Sequence, residues 1–270
     1  MTKLRDCAGF TLIEAIMVIV ITGILAGIVA VFITKPVEGY VDSVRRAELT
    51  DTADVALRRI ARDVRLALPN SLRTVSNGFE FIMTKSGGRY RDPTDGSTGG
   101  NFLSFTSTAA TSFDVLGLMP AMNGGDLIVV YNLGTGYTPA DAYTRRNVAT
   151  LGGTGAITAN PVALTSNPFA DQVPPLPSPS ARFQVVDQND LVVRYVCDGT
   201  SLTRFRGCTL ATPSACAAAG ALLAGAAATC TIDYAAAATG RNGLLYISLT
   251  LTSGGESVTL FQQIHVDNSP

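Results

Sequence analysis

Gly9-Phe10-Thr11-Leu12-Ile13-Glu14 opens the stretch on which the rest of the chain depends. From Phe10 to Ile33 the only charge is Glu14, in a run otherwise built mostly of Ile, Val, Ala, Leu and Gly. At about 1.5 Å rise per residue, a helix of roughly 24 residues spans a bilayer core of ~30 Å. A carboxylate at the centre of such a helix costs on the order of 2.5–3.5 kcal/mol on insertion scales. Glu14 stands near one end, where the cost is lower, yet it still needs a reason. A cut between Gly9 and Phe10 would supply one, because the new α-amine at Phe10 is an i, i+4 partner for Glu14, on the same helix or on a packed neighbour.

Gly9-Phe10-Thr11-Leu12-x-Glu14 after a short basic leader resembles the type IV prepilin (class III) signal. The resemblance implies cleavage after Gly9 by prepilin peptidase, methylation of Phe10, and an apolar helix that becomes filament core. It assigns residues 1–9 to a leader peptide, 10–34 to the transmembrane and filament-core half of a long helix, 35–68 to its amphipathic half, and 69–270 to a periplasmic β-rich domain. A secretory signal peptide would have a shorter apolar region ending at a small-residue site. A lipoprotein site at Cys7 is excluded by order, since the apolar run follows that cysteine. Lys3 and Arg5 before the run and Lys35, Arg45 and Arg46 after it leave the charge rule for orientation undecided. A leader inside and a domain outside is what the resemblance implies.

The 270 residues hold one sizeable globular domain beyond the apolar segment. A formal net charge of −1 offers no basic footprint, so nucleic acid is not expected as a partner. One histidine and no tryptophan thin the supply of catalytic groups. No G-x-S-x-G, Walker A or H-E-x-x-H pattern is present, so the chain does not read as an enzyme and no cofactor is expected.

Lys35-Pro36 and Gly39 interrupt the helical pattern, which predicts a kink or a flexible joint. Periodicity resumes to Leu68: Ala53, Leu57, Ile60, Val64 and Ala67 make one apolar stripe, with Arg58, Arg59, Arg62 and Arg65 largely off it. Glu48, Asp51, Asp54 and Asp63 are available to those arginines, and Pro69-Asn70 ends the helix. Phe79, Phe81 and Met83 then alternate as a strand before a Ser86-Gly87-Gly88 turn. Short strands are expected around Phe102–Phe105, Phe113–Leu118 and Leu127–Tyr131. Residues 132–160 read as loop, and the prolines from Pro168 to Pro179 argue against a central strand there. Arg182–Val186 and Leu191–Val196 flank Asp187-Gln188-Asn189-Asp190 as a hairpin. The end gives the cleanest signal: Leu245, Ile247, Leu249 and Leu251, then Val258, Leu260, Ile264 and Val266, in an antiparallel hairpin with one wet face. A long N-terminal helix packed on an antiparallel sheet is an α+β arrangement, and it matches the type IV pilin fold that the leader suggests.

Four cysteines follow the leader: Cys197, Cys208, Cys216 and Cys230. In an extracytoplasmic domain an even number points to two disulfides, with three pairings open. Cys197–Cys208 across a Gly199-centred turn, with Cys216–Cys230 tying down the Ala-rich stretch, is the expected set. The spacing lacks C-x₂-C, so no metal is expected there. His265 falls out of phase with the apolar positions and reads as surface. Asp187, Asn189 and Asp190 could offer oxygens to calcium, as a loop in some pseudopilins does, but an Asx-rich turn explains them more simply.

The resemblance narrows along the chain. The segment from Ala56 to Ser71, Tyr195-Val196-Cys197-Asp198-Gly199 with Leu202-Thr203-Arg204, and Gly255-Glu256-Ser257-Val258 leading to His265-Val266-Asp267-Asn268-Ser269-Pro270 are similar to minor pilins of mannose-sensitive haemagglutinin (MSHA) pilus systems. The J-type minor pseudopilins of type II secretion are near relatives. Residues 85–180 carry no such landmark. The family implies assembly from the inner membrane, with lipid around the helix first. Its partners would be prepilin peptidase, the inner-membrane assembly platform, and other minor and major pilins. Its place would be near the filament tip.

Overall fold

In the computed structural model of the chain, the described residues are 9–270 apart from 95, 97–98 and 240–241. Cys7 and the rest of residues 1–8 therefore lie outside them. The chain divides into two compact units, Met1–Glu48 and Leu49–Pro270. Antiparallel sheets and one long helix that is apolar at its N-terminal end make an α+β, pilin-like architecture.

The helix α1 runs over Leu12–Val64. Its start is capped: the Glu14 N–H donates to Thr11 Oγ1 at 3.4 Å, and Thr-x-x-Glu is the residue pattern of a capping box. Pro36 lies inside α1, and the helix does not break there. α1 continues through the position of the expected kink or joint, where proline forfeits one backbone bond, to the carbonyl four residues back. From Leu49 onward one side of α1 is core. Leu49, Ala53, Ala56, Leu57, Ile60, Ala61 and Val64 are buried, which includes the apolar stripe read from spacing except Ala67, buried just past the helix end and bridged to Met83.

After α1 come β1 (Arg73–Val75), β2 (Gly78–Ile82), β3 (Ser86–Tyr90), β4 (Ser112–Phe113) and β5 (Val115–Leu116). Then follow β6 (Leu127–Val129), β7 (Val148–Thr150), β8 (Val162–Ala163), β9 (Arg182–Val186) and β10 (Val192–Cys197). The chain finishes with β11 (Leu202–Cys208), β12 (Ala221–Ala224), β13 (Ala228–Thr239), β14 (Asn242–Ser253) and β15 (Glu256–Asp267).

Three principal sheets result. The first has the order β1-β2-β10-β11-β12, and the last is β13-β14-β15. Both contribute to one core with α1: Phe79, Phe81, Val193 and Tyr195 from the first, Leu245, Ile247, Leu249, Leu251, Ile264 and Val266 from the last. The second sheet, β5-β3-β9-β6-β7, is built wholly from residues between β2 and β10, with a small β4-β8 pair beside it. It has its own core around Tyr90, Phe113, Ile128, Phe169 and Phe183. A third cluster joins the first two: Leu68, Ile82, Val192, Cys208 and Leu210 meet Leu127, Val129, Val148 and Val186.

Several sequence expectations change here. Ser86-Gly87-Gly88 is not a turn but the start of β3, paired with β9. The hairpin at Asp187–Asp190 is corrected too. Its flanking strands belong to different sheets: β9 pairs β3 and β6, and β10 pairs β2 and β11. Ile82 pairs with Val192 and Ser86 with Val185. Three residues separate the first positions and six the second, so the extra residues bulge out where one ribbon passes from sheet to sheet. Residues 102–105 form no strand, while the stretch read as loop contains β7, and the Ala-rich region supplies β12 and part of β13. Alanine is depleted in strands by intrinsic preference, and pairing of β12 along β11 and of β13 along β14 overrides that. The terminal hairpin β14–β15 forms as expected, with Leu249 opposite Leu260.

Candidate assembly segment and the contacts behind it

Gly9, Phe10 and Thr11 precede the helix, outside regular structure. Among the described residues, a side chain added at Gly9 would meet nothing within 4 Å. Phe10 is 72% exposed. Glu14, also exposed, sits in the first turn of α1, where a carboxylate is favoured by the helix dipole. With α1 starting at Leu12, Phe10 lies just before the helix. Past that turn the surface is bare: Ile16, Ile19, Ile24, Leu25, Ile28, Phe32 and Ile33 are all at least half exposed. An apolar helix with no cover needs lipid or other helices around it.

Farther along α1 charges return in pairs, Lys35–Glu38 at 3.6 Å and Asp42–Arg45 at 3.3 Å. Asp54, not Asp51, takes Arg58, at 2.8 Å. Such exposed pairs contribute only a few tenths of a kcal/mol each.

Asp63 is different, because its partners extend beyond the helix arginines that spacing offered it. It has a solvent-side partner in Arg59 at 3.4 Å, but its carboxylate is buried. It accepts from Tyr195 Oη at 2.7 Å and from Arg204 Nε at 2.6 Å. Arg204 is buried as well, and its Nε lies 3.2 Å from Tyr195 Oη. Burial, and next the Asp63 charge, push the Tyr195 hydroxyl well above its usual range, so it stays a donor. Beyond the helix end, Asn70 Nδ2 donates to the carbonyls of Asn132 and Asn268, and the Asn70 N–H donates to Asn268 Oδ1. On the opposite side of β2, Glu80 lies between Arg73 at 2.7 Å and Arg194 at 3.5 Å. These neighbours come from β1 and β10, so all of β2 is buried, where alternation predicts one wet face.

The disulfides are Cys197–Cys230 and Cys208–Cys216, which corrects the expected pairing. β10 and β11 are indeed neighbours, but Cys197 lies opposite Leu202 and Cys208 opposite Val192. The two cysteines therefore stand at opposite ends of a hairpin, on the order of 15 Å apart at ~3.3 Å per residue. Cys197 instead reaches β13 and ties the first sheet to the last.

Asp187 closes an Asx turn, its Oδ1 accepting from the Asn189 N–H at 2.9 Å, and lies 3.6 Å from Lys85. Asp190 binds the Arg206 guanidinium and the Gly207 N–H. These oxygens are engaged with protein donors. Among the described residues no group of three or more His, Cys, Asp or Glu is placed to hold a metal. His265 is exposed on β15.

Residues 4–30 match the family described as the prokaryotic N-terminal methylation motif. The chain has a prepilin-type start. The match covers the Gly9–Phe10 bond, Glu14 and most of the bare apolar surface. No curated protein and no solved structure matches the chain.

Proposed function

We propose that this protein is a minor pilin or pseudopilin, processed after Gly9, methylated at Phe10, and assembled through its N-terminal helix. The carrying observation is that one segment holds the methylation motif, the Gly9–Phe10 bond and an uncovered apolar helix with a single carboxylate. Before assembly, residues 10–34 lie in the inner membrane and the domain lies in the periplasm. Methylation leaves the Phe10 amine able to carry charge. In a bundle of staggered helices, Glu14 of an incoming subunit pairs with that amine on a subunit already present. An unpaired carboxylate in the apolar core is costly, so the pairing sets register as well as affinity.

Within that class, we assign the protein to the minor pilins of MSHA systems, most like MshO, with a role in starting or capping the filament near its tip. The support is convergence. Asp63 belongs to the first landmark segment, Tyr195 and Arg204 to the second, and the three meet. Asn70 and Asn268, from the first and last segments, also bond. The J-type pseudopilin of type II secretion is the alternative within the class, and a static anchored binding module is the one outside it.

Mass spectrometry of the protein from native membranes is the test. The expected result is a chain that begins at methylated Phe10. A chain that retains its leader beside an active prepilin peptidase would leave the anchored binding module.

A further inference from the structure

The second sheet turns one face toward the third core cluster, and that cluster covers only part of it. Val129, Val148 and Val186 on this face are buried there. At the other end of the same face, Arg89 of β3 stands directly opposite Arg182 of β9, and both are exposed. Like charges directly opposed across antiparallel strands, with Cβ atoms ~4.5–5.5 Å apart, repel. The neighbouring charges do not relieve them. Lys85 holds Asp126 and Asp187, and Arg91 holds Asp114, while Asp92 accepts from Thr94. Among the described residues no acidic side chain forms an ion pair with Arg89 or Arg182. Arg89 is also aimed: its Nε donates to the Ser180 carbonyl at 3.2 Å. One pair farther along, Gly87 faces Gln184, so the floor beside the arginines carries no side chain on one strand and an amide on the other.

We propose that Arg89 and Arg182 form a binding site for a dianionic phosphate group. Two guanidinium groups carried by directly opposed residues offer between them the donors that a tetrahedral oxyanion accepts. Charge stoichiometry selects a dianion over a carboxylate, because one carboxylate would leave a positive charge uncompensated. The site belongs to the region between β2 and β10, and it does not depend on the pilin reading.

The test uses the full chain in neutral detergent, with thermal unfolding of the domain followed by near-UV circular dichroism. Inorganic phosphate at about pH 8, where its dianion predominates, is compared with chloride at equal ionic strength. Water-soluble dioctanoyl phosphatidic acid is a second ligand. At a ligand concentration about five times the dissociation constant, linkage predicts a rise of ~2–4 °C in Tm. Arg89→Gln and Arg182→Gln should each remove that rise, and each should unfold in chloride no lower than the parent, since the repulsion is gone. A saturable response to inorganic phosphate assigns the site to free phosphate groups. A response to the lipid alone, lost in both variants, assigns it to a phosphomonoester headgroup. No response to either ligand, or one that survives in both variants, overturns the proposal.

Discussion

Glu14 and Asp63 are both acidic residues on α1, and their surroundings give them opposite work. Glu14 is exposed in the first turn of a bare apolar stretch, and under the proposed function its carboxylate pairs with a neighbouring subunit. Glu14→Ala should cut incorporation into filaments severely while the domain keeps its circular dichroism spectrum and Tm. Normal filament numbers in that variant would remove the pairing with the Phe10 amine from the mechanism. Asp63 is satisfied inside, by Tyr195 and Arg204. Tyr195→Phe strips one donor from a buried carboxylate and should lower stability by about 1–3 kcal/mol. Asp63→Ala leaves Arg204 buried without its counter-charge and should cost about 3–5 kcal/mol. Denaturant midpoints at constant slope would check both, and the order of the two effects is the informative part. A close approach also fixes Gly78: a Cβ there would lie 1.9 Å from the Tyr195 carbonyl oxygen, so any side chain must push β2 away from β10.

Strands and cross-links show where local reading stops. The ribbon β2–β3 with β9–β10 runs through two sheets, and Asp187–Asp190 bulges at the crossing. Locally those residues carry every mark of a hairpin turn. The two disulfides differ in what they restrain. Cys197–Cys230 spans 33 positions and links two sheets, whereas Cys208–Cys216 spans eight. In the chain-entropy account the longer loop is worth roughly 3.5–4 kcal/mol and the shorter about 2.5. The double variant Cys197→Ser with Cys230→Ser should therefore lose about 1 kcal/mol more than Cys208→Ser with Cys216→Ser. Equal losses in paired urea titrations would show that strain or residual structure, not loop length, sets their value.

The domain from Leu49 onward is held by three linked clusters, and each has a tyrosine in it or packed on it: Tyr195, Tyr90 and Tyr143. Burial pushes all three hydroxyls up, Tyr90 to about 12. A group whose folded pKa is raised keeps its full stabilising effect below the unfolded value, near 10, and loses it as pH climbs through the folded value. Domain stability should hold to about pH 10 and fall between about 10 and 12. Tyr90→Phe should flatten part of that fall. A profile equally steep in the variant would place the alkaline transition elsewhere.

The amino-acid sequence alone determined the N-terminal segment, because a bilayer or a helical bundle tests only length, apolarity and the position of one charge. It also determined the apolar stripe from Ala53 to Val64 and the terminal hairpin, where a single period of 3.6 or 2 persists long enough to choose a face. Only the tertiary structure decided the rest. Sheet membership of β9 and β10, the cysteine partners, and the burial of Asp63 and Glu80 all depend on pairings between residues far apart in the chain. Long-range register is set by how three cores close on one another, and no short window of sequence carries that information.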